Sequence, residues 1–221
     1  MVRISISNIA AYLHKAPFYD EIEYFEDFCG LIDRKFKKTK VKKFFDVSNL
    51  TIDDNIETIA EKNPKASVED VKRMNQQVAI NNGIKTENQY TPKEEDVKTQ
   101  QKYEKDLNEF ITIVGIIDYI KDGILYEIKS RKNGLYKKLY LSEKIQLQFY
   151  MFITEHYISI LEENYKNDTF RINEEYDESF ISEISKELMD YYIIIKEFVK
   201  NPEEYYKATN KKEFIKNLRG F

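Results

Sequence analysis

Residues 111–131 limit the fold of this chain more than any other segment, because they read as a strand, a tight turn and a second strand. Residues 111–120 are mostly Ile, Val and Thr, the composition of a buried strand. Asp122 and Gly123 form the dipeptide that most often closes a two-residue hairpin, because both turn residues must accept a positive φ. Residues 124–131 are therefore predicted to return as a paired strand.

The second strand brings a carboxylate and an amine to one face of the hairpin. Side chains alternate along a strand, so Glu127 and Lys129 share a face while Ile128 points the other way. Asp118 of the first strand would add a second carboxylate, and hard cations such as Mg²⁺ prefer oxygen ligands. The alternative is a solvated cross-strand ion pair worth a few tenths of a kcal/mol. The hairpin alone leaves both interpretations open.

The charges are balanced overall but unevenly placed. The 221 residues, which we expect to form one domain, include 35 basic and 39 acidic residues, so the chain is not a general polycation. Residues 34–43 hold seven basic and no acidic residues, whereas residues 162–190 hold ten acidic and three basic residues. We expect one face suited to phosphates. The basic stretch, interleaved with Phe36, Phe44 and Phe45, is either a nucleic-acid contact or a solvated surface.

Cysteine usage and hydropathy exclude several classes of protein. Cys29 is the only cysteine, which rules out a disulfide framework, a four-cysteine zinc site and a cysteine-bound iron–sulfur cluster. The sequence has no apolar span of membrane length and no signal-peptide pattern. We therefore expect a soluble intracellular protein that does not bind membranes.

Two pairs of residues outside the hairpin stand four positions apart on predicted helices. Gly83 should cost its helix roughly 1 kcal/mol relative to alanine, so a compensating role is expected. Glycine lets a helix approach a sheet closely, and Glu87 lies one turn later on the same face. Gln146 and Tyr150 share a face of a later helix that is apolar on nearly every side. The alternative is that Gln146 and Tyr150 are ordinary packing residues and that the Gln146 amide forms a local hydrogen bond.

Hydrophobic periodicity and capping signals predict the remaining elements. They are a helix over residues 4–13, a loop with a short helix over 50–65, a helix over 67–88 with a capping box at Ser67, a loop with a short helix over 89–108, a long helix over 139–165 with Ser142 as its N-cap, a strand over 169–173, a helix over 178–200, and a loosely ordered basic tail over 207–221.

These pieces, in this order, resemble the PD-(D/E)XK nuclease superfamily. The closest similarity is to its RecB-like branch, which includes CRISPR-associated DNA-end-trimming nucleases and lambda-type phage exonucleases. Residues 67–165 carry the match. The similar motifs are Gly83 to Glu87 (GxxxE on a helix), Gly115 to Asp118 (GxxD on a strand), Glu127 to Lys129 (ExK on a strand) and Gln146 to Tyr150 (QxxxY on a helix).

The resemblance implies an α/β, restriction-endonuclease-like core, which is a small mixed sheet flanked by helices, with extra N- and C-terminal helices. It implies one nuclease domain made of an N-terminal helical and basic region (1–66), a catalytic core (67–173) and a C-terminal helix and tail (174–221).

The resemblance also assigns residue roles. Glu87, Asp118, Glu127 and the carbonyl of Ile128 would bind one or two Mg²⁺ or Mn²⁺ ions, and Lys129 would orient or deprotonate the attacking water. The chain departs from the family members that hold an iron–sulfur cluster, since it has one cysteine, and this departure is compatible with a viral origin. Further candidates for contacting nucleic acid or supporting Lys129 are Gln146, Tyr150, Arg131 and Lys132.

The function implied is a metal-dependent deoxyribonuclease that prefers single strands or DNA ends and acts in replication, recombination or repair. Its location would be the cytoplasm, that of the host if the protein is viral. The alternative is a catalytically inactive nucleic-acid-binding or assembly protein on the same scaffold. The sequence leaves open exonuclease versus endonuclease action, polarity, DNA versus RNA preference and whether the protein forms oligomers.

Overall fold

The structure of this protein is a computed structural model that describes residues 1–17, 19–39, 45–51, 53–90, 92 and 97–220. For residues 69 and 83–90 it describes the backbone alone. The described residues form these elements, in chain order: β1 (Val2–Ser5), α1 (Ile6–Tyr12), α2 (Glu21–Ile32), α3 (Ile56–Lys62), α4 (Val68–Tyr90), β2 (Lys98–Asp106), β3 (Ile111–Lys121), β4 (Ile124–Ser130), α5 (Leu141–Thr154), β5 (Ile158–Tyr165), β6 (Asp168–Glu175), α6 (Glu178–Phe198), α7 (Glu203–Lys207) and α8 (Lys211–Arg219).

The strand β3 lies at the centre of one mixed sheet. It pairs with β1 in parallel and with β2 and β4 antiparallel, and the sheet continues through β5 to β6. The described helices pack around this sheet. The predicted fold class, a small mixed sheet flanked by helices, is therefore confirmed.

Two strands share one edge of β3 and leave a gap between them. The strand β2 occupies one edge, pairing with residues 112–120 of β3. Because β1 pairs with residues 111–114 and β4 with residues 119–121, both must lie on the opposite edge. Residues 115–118 of β3 fall between them, where β1 has ended and β4 diverges. This gap in the sheet is where the site described below is built.

The side-chain alternation of β3 shifts by one residue at this gap. Ile117 and Ile120 both belong to the main core, although strict alternation would place them on opposite faces. Tyr119, between them, belongs to a small cluster on the other face, with Val97 and Ile128. The shift falls at Asp118. The Asp118 side chain therefore does not occupy the position that strict alternation would give it.

The predicted hairpin is confirmed. Asp122 and Gly123 have φ values of 52° and 76°, the left-handed conformation that a tight hairpin turn requires. Tyr119 and Tyr126 are cross-strand partners whose rings stack with centroids 4.4 Å apart and an interplanar angle of 8°. Stacked aromatic pairs of this kind stabilise an antiparallel pair and fix its register.

The main core lies between one face of the sheet and the helices α1, α2, α5, α6 and α8. Its largest fully buried side chains include Phe25, Phe28, Phe149 and Tyr205. A second, smaller core lies between α3 and α4, and α4 packs against β4. The helix that carries Gly83 and Glu87 therefore does approach the sheet at the ExK strand.

Gly115 permits the closest approach between β3 and the main helical layer. A Cβ atom at this position would lie 2.7 Å from Cε1 of Tyr150 and 2.8 Å from Cδ1 of Ile6. Real Cβ contacts are essentially never that short, so α1 and α5 can sit at these distances only above a glycine.

The predicted helix over residues 4–13 was wrong at its start. Residues 2–5 form β1, whose side chains alternate between buried and exposed, and Ser5 has an extended backbone with φ −70° and ψ 133°. The four-residue strand is too short to give a clear period of two in the sequence. Its pairing with the central strand β3 decides its conformation.

The predicted loop over residues 89–108 was also wrong, because residues 98–106 form β2. This strand is polar along its length and more than half of its residues are exposed. An edge strand that buries little apolar surface leaves no hydrophobic pattern in the sequence.

The predicted long helix over residues 139–165 ends early. The helix α5 stops at Thr154, Glu155 adopts the left-handed conformation with φ 59°, and residues 158–165 form β5. A left-handed C-cap is usually glycine, so a glutamate gave no stop signal. The N-cap is Tyr140 rather than Ser142, and the Glu143 carboxylate accepts a hydrogen bond from the Tyr140 N–H at 3.1 Å.

The basic tail is ordered, contrary to the expectation of a loose segment. Residues 203–207 and 211–219 form α7 and α8, and both Tyr205 and Ile215 are fully buried. The Tyr205 hydroxyl donates to the buried Glu26 carboxylate at 2.7 Å. The two helices are thus part of the main core.

The basic stretch is only partly described, since residues 40–44, including Phe44, lie outside the described residues. Phe36 is buried against Phe198 and Tyr206, and Phe45 packs on the smaller core. Both described phenylalanines therefore have protein partners, and contact between this stretch and phosphates stays a prediction. Among the described helices, none combines the length and apolar character needed to cross a bilayer.

Gly115→Ala should lower the free energy of unfolding by about 1–3 kcal/mol, because the added methyl overpacks the contact with Tyr150 and Ile6. The measurement is urea unfolding followed by circular dichroism. The control is Gly30→Ala within α2, where the new Cβ would lie 3.2 Å from the flexible end of Lys38. We expect that control to match or exceed wild-type stability, and equal losses in the two variants would contradict the packing argument.

Candidate active site

Asp118 is held in the gap between β3 and β4 by both of its carboxylate oxygens. Its Oδ2 accepts a hydrogen bond from the backbone N–H of Ile128 at 2.7 Å, and its Oδ1 accepts one from the side-chain amide of Gln100 at 3.1 Å. The side chain is nearly buried, with 8% of the residue exposed. Gln100 has a φ of 49°. Gln100 and Asp118 would be cross-strand partners in the register of β2 with β3, but they are not paired there.

Glu127 lies across the gap on β4 and is contacted from the helix α5. The Gln146 amide donates to Glu127 Oε1 at 2.8 Å and to the Tyr150 hydroxyl at 2.9 Å. Both N–H groups of the amide are therefore assigned, one to each partner. Lys129 also donates to Glu127 Oε1, and the Lys129 side chain is about one-quarter exposed. The four side chains form one hydrogen-bonded series from α5 to the rim of the gap.

The prediction that Glu127 and Lys129 share one face of the ExK strand, opposite to Ile128, is confirmed. Leu125 is in the main core, whereas Tyr126 and Ile128 are in the cluster on the opposite face. Alternation then places Glu127 and Lys129 on the side of α5. Continuing the hairpin register of Tyr119 with Tyr126 by one residue sets Asp118 opposite Glu127.

The donor set suits a hard divalent cation. Glu127 is 4% exposed and Asp118 is 8% exposed, and burying two carboxylates is costly unless positive charge offsets them. Carboxylate oxygens are the ligands that Mg²⁺ and Mn²⁺ prefer. No group of three metal-ligating side chains occurs among the residues whose side chains are described. The Glu87 side chain, the third predicted acid, lies outside them, although its backbone is part of α4.

Ile128, whose carbonyl is a predicted ligand, is completely buried between Tyr119 and Val97 in the small cluster. Its backbone is fixed on one side by Asp118 and on the other by parallel pairing of β4 with β5. Any group that binds at this carbonyl would therefore meet a rigid strand.

Arg131 lies in a buried ion-pair cluster at the end of β4. Its Nε donates to Glu163 at 2.8 Å and its Nη2 donates to Glu143 at 2.6 Å. Burial opposes the charge of Arg131, but these two carboxylates outweigh it and raise the pKa of the guanidinium above its usual value. Glu163 is fully buried and also accepts the backbone N–H groups of Tyr136 and Lys137 at 3.0 and 2.8 Å. The cluster joins β4, β5 and the start of α5.

Lys132 points toward the helix α4. Its ammonium donates to the Asn75 side chain at 3.1 Å and to the Asp54 carbonyl at 3.4 Å. The predicted site residues therefore divide into two groups. Asp118, Glu127, Lys129, Gln146 and Tyr150 come together at the gap, whereas Arg131 and Lys132 connect β4 to its neighbouring elements.

Sequence reasoning did not single out Gln100, Glu143 or Glu163. Gln100 lies in a strand that had been assigned to a loop, and Glu163 in one that had been assigned to a helix. Glu143 carried a usable signal, since a glutamate at the third position of a helix is typical of a capping box.

No protein-family model and no curated protein matches this sequence. Among solved structures, the chain is similar to an alkaline exonuclease (LHK-Exo) from Laribacter hongkongensis, with a TM-score of 0.56 and 14% identity over 93% of each chain. LHK-Exo in complex with dAMP gives the same TM-score and identity over 92% of this chain and 93% of that one. A phage-related exonuclease from Haemophilus somnus 129PT matches with a TM-score of 0.47 and 10% identity over 90% of this chain and 96% of that chain. The first two matches show that this protein shares the fold of LHK-Exo.

Arg131→Met should lower the free energy of unfolding by about 3 kcal/mol or more, because it leaves the buried Glu163 carboxylate without its cation. The measurement is urea unfolding. The control is Arg3→Met, since Arg3 and its partner Glu104 are both about half exposed and such pairs contribute roughly 0–1 kcal/mol. Equal stabilities of the two variants, with nucleic-acid binding lost in Arg131→Met alone, would assign Arg131 to the substrate instead.

Proposed function

We propose that this protein is a metal-dependent nuclease that hydrolyses the phosphodiester bonds of DNA at the gap between β3 and β4. The observation that carries the proposal is the convergence of Asp118, Glu127 and Lys129 at a break in the central sheet, where Gln146 of α5 donates to Glu127 and to Tyr150. The fold that the chain shares with LHK-Exo supports it.

In this proposal Asp118, Glu127 and the carbonyl of Ile128, with Glu87 from α4, hold Mg²⁺ or Mn²⁺. When bound, the cation would activate a water molecule and neutralise the charge that develops on the phosphate. No iron–sulfur cluster takes part, since Cys29 is the only cysteine and is buried in the main core.

The protein's own hydrogen bonds set the orientation of the side chains in this site. The Ile128 N–H and the Gln100 amide each donate to one oxygen of Asp118 and fix its orientation. The Gln146 amide fixes one oxygen of Glu127. Lys129 stands at the partly exposed rim, where an ammonium can orient the attacking water or exchange a proton with it.

Tyr150 acts through Gln146 rather than on the phosphate. Its hydroxyl accepts the second N–H of the amide, and its ring lies against Gly115, so the amide cannot rotate away from Glu127 without losing a bond. Gln146 and Tyr150 are thus positioning residues in this proposal.

The substrate is proposed to be single-stranded DNA or DNA ends. LHK-Exo is an alkaline exonuclease and was also solved in complex with dAMP, and the present site would take the same chemical class of substrate. Action on ends fits a role in replication, recombination or repair in the cytoplasm of a cell, or of a host if the gene is viral. A ring-shaped oligomer would hold such an enzyme on its strand.

Asp118→Asn and Lys129→Met should each reduce DNA cleavage by more than about 100-fold, because each removes a charge that acts on the reacting phosphate or water. Cleavage of a fluorescent oligonucleotide with Mg²⁺ or Mn²⁺ measures this, and EDTA should abolish it. The control is Asp122→Asn in the exposed turn of the same hairpin, where asparagine accepts the positive φ. Wild-type protein that binds DNA without cutting it in either metal would establish the inactive binding protein instead.

Linear DNA should be degraded and covalently closed circles should not, if the enzyme acts on ends. The measurement compares end-labelled linear and circular substrates, single- and double-stranded, under the same metal conditions. Release of mononucleotides from labelled ends identifies the polarity. Cutting of single-stranded circles at a rate similar to that of linear strands would instead show endonuclease action.

A further inference from the structure

A cavity of about 780 Å³ lies on the surface between the end of α1, the start of α2 and one face of α8. Its size is in the range of ligand-binding sites. None of the proposed cleavage residues whose side chains the structure describes lines it. The cavity exists because α8 is ordered, and its lining could not be anticipated from a tail expected to be loose.

Three cationic side chains line the cavity from one face of α8. Lys212, Lys216 and Arg219 are spaced four and three residues apart, so they stand in a row along the helix while Ile215 faces the core. Within the part of the chain that the structure describes, neither lysine forms an ion pair or a side-chain hydrogen bond. Both lysines are exposed and can reach a ligand in the cavity.

Arg219 is held in place before any ligand arrives. One of its nitrogens donates to the Tyr12 carbonyl at 2.8 Å, and its guanidinium carbon lies 4.0 Å from the centroid of the Tyr191 ring. Its Nε is buried without a hydrogen-bond partner. Burial lowers the pKa of Arg219 to about 9. An anion in the cavity would offset this cost of burying the charge.

The two acidic residues of the lining are engaged by neighbours. The Glu213 carboxylate accepts a hydrogen bond from the Asn210 amide at 3.0 Å, where α8 begins. Glu21 lies 3.5 Å from Nδ1 of His14, whose ring also contacts the Tyr19 hydroxyl. Three cationic side chains thus face two acids, so the lining of the cavity carries a net positive charge. This arrangement favours a ligand with several negative charges in line.

The helix α1 connects this cavity to the candidate active site. Ile6 at its start lies beside Gly115 and Tyr150, and Leu13 at its end lines the cavity. The seven-residue step between them corresponds to about 10 Å along a helix. Phosphates of one strand advance by about 3.4 Å per nucleotide along a duplex axis and by more in an extended single strand, so about three nucleotides or fewer span the length of α1.

We propose that this cavity binds the phosphates of the nucleic-acid strand that flank the bond cleaved at the gap in the sheet. The inference rests on the function proposed above, because the strand is its substrate. Lys212 and Lys216 contact successive phosphates, and Arg219 supplies a fixed charge beneath them. The cavity thereby adds affinity for strands long enough to span α1 and none for shorter ones.

The experiment compares binding of labelled single-stranded DNA of about two and about fifteen nucleotides, since a strand of two nucleotides is shorter than the length of α1 and only the longer one spans it. Binding is followed by fluorescence anisotropy in Mg²⁺ across a salt series, in an Asp118→Asn background that prevents cutting. The test variant is Lys212→Gln with Lys216→Gln. The matched control is Lys186→Gln with Lys200→Gln, the same charge change at two exposed lysines of and beside α6 that lie outside the cavity.

The test variant should bind the long strand about tenfold more weakly at low salt and reduce the slope of log K against log salt by roughly 1.4, the value for two phosphates. The short strand and the control should behave as wild type. Wild-type affinity and slope in the test variant, or an equal loss in the control, would overturn the inference even if the enzyme cuts DNA. The expected loss in a protein that cuts no DNA would support the cavity and reject the nuclease.

Discussion

The hydrogen bond from the Ile128 N–H to Asp118 is the contact on which the rest of this site depends. The strands β3 and β4 diverge beyond the pair of Tyr119 and Tyr126, so the buried N–H of Ile128 would lose the acceptor that a continuous ladder supplies. Buried backbone N–H groups are almost always paired, and the Asp118 carboxylate takes that place. The same oxygen that completes the sheet thus fixes a negative charge at its break. A carboxylate proposed to bind the metal is thus held by a requirement of the fold itself.

The helix α5 reaches this break because it is anchored twice. At its start, Glu143 pairs with Arg131, which directly follows β4 and also pairs with the fully buried Glu163 of β5. In its second half, Tyr150 rests on Gly115 of β3. Two anchors about two turns apart fix both the height and the rotation of the helix, so Gln146 between them has one direction to face. The ion-pair cluster supports the site without touching it.

The residues of the site could be predicted from sequence because their spacing carries the geometry. The Asp-Gly turn fixed the hairpin, and the period of a strand then set Glu127 and Lys129 on one face. The elements that were missed carry weak local signals. The strand β1 is four residues long, β2 is a polar edge strand, and Glu155 ends α5 in a conformation that favours glycine. Gln100 and Glu163 could not be found, because their roles follow from tertiary pairing of those missed strands.

The buried contact between Glu26 and Tyr205 also constrains how the chain can be made. Glu26 accepts hydrogen bonds from the Tyr205 hydroxyl and from the backbone of Thr39, so a carboxylate of α2 is satisfied in part by α7, far along the sequence. During synthesis, α2 emerges from the ribosome long before residue 205. Until then Phe25 and Phe28 have no complete core, and the nascent N-terminal helices present an apolar surface that chaperones would recognise.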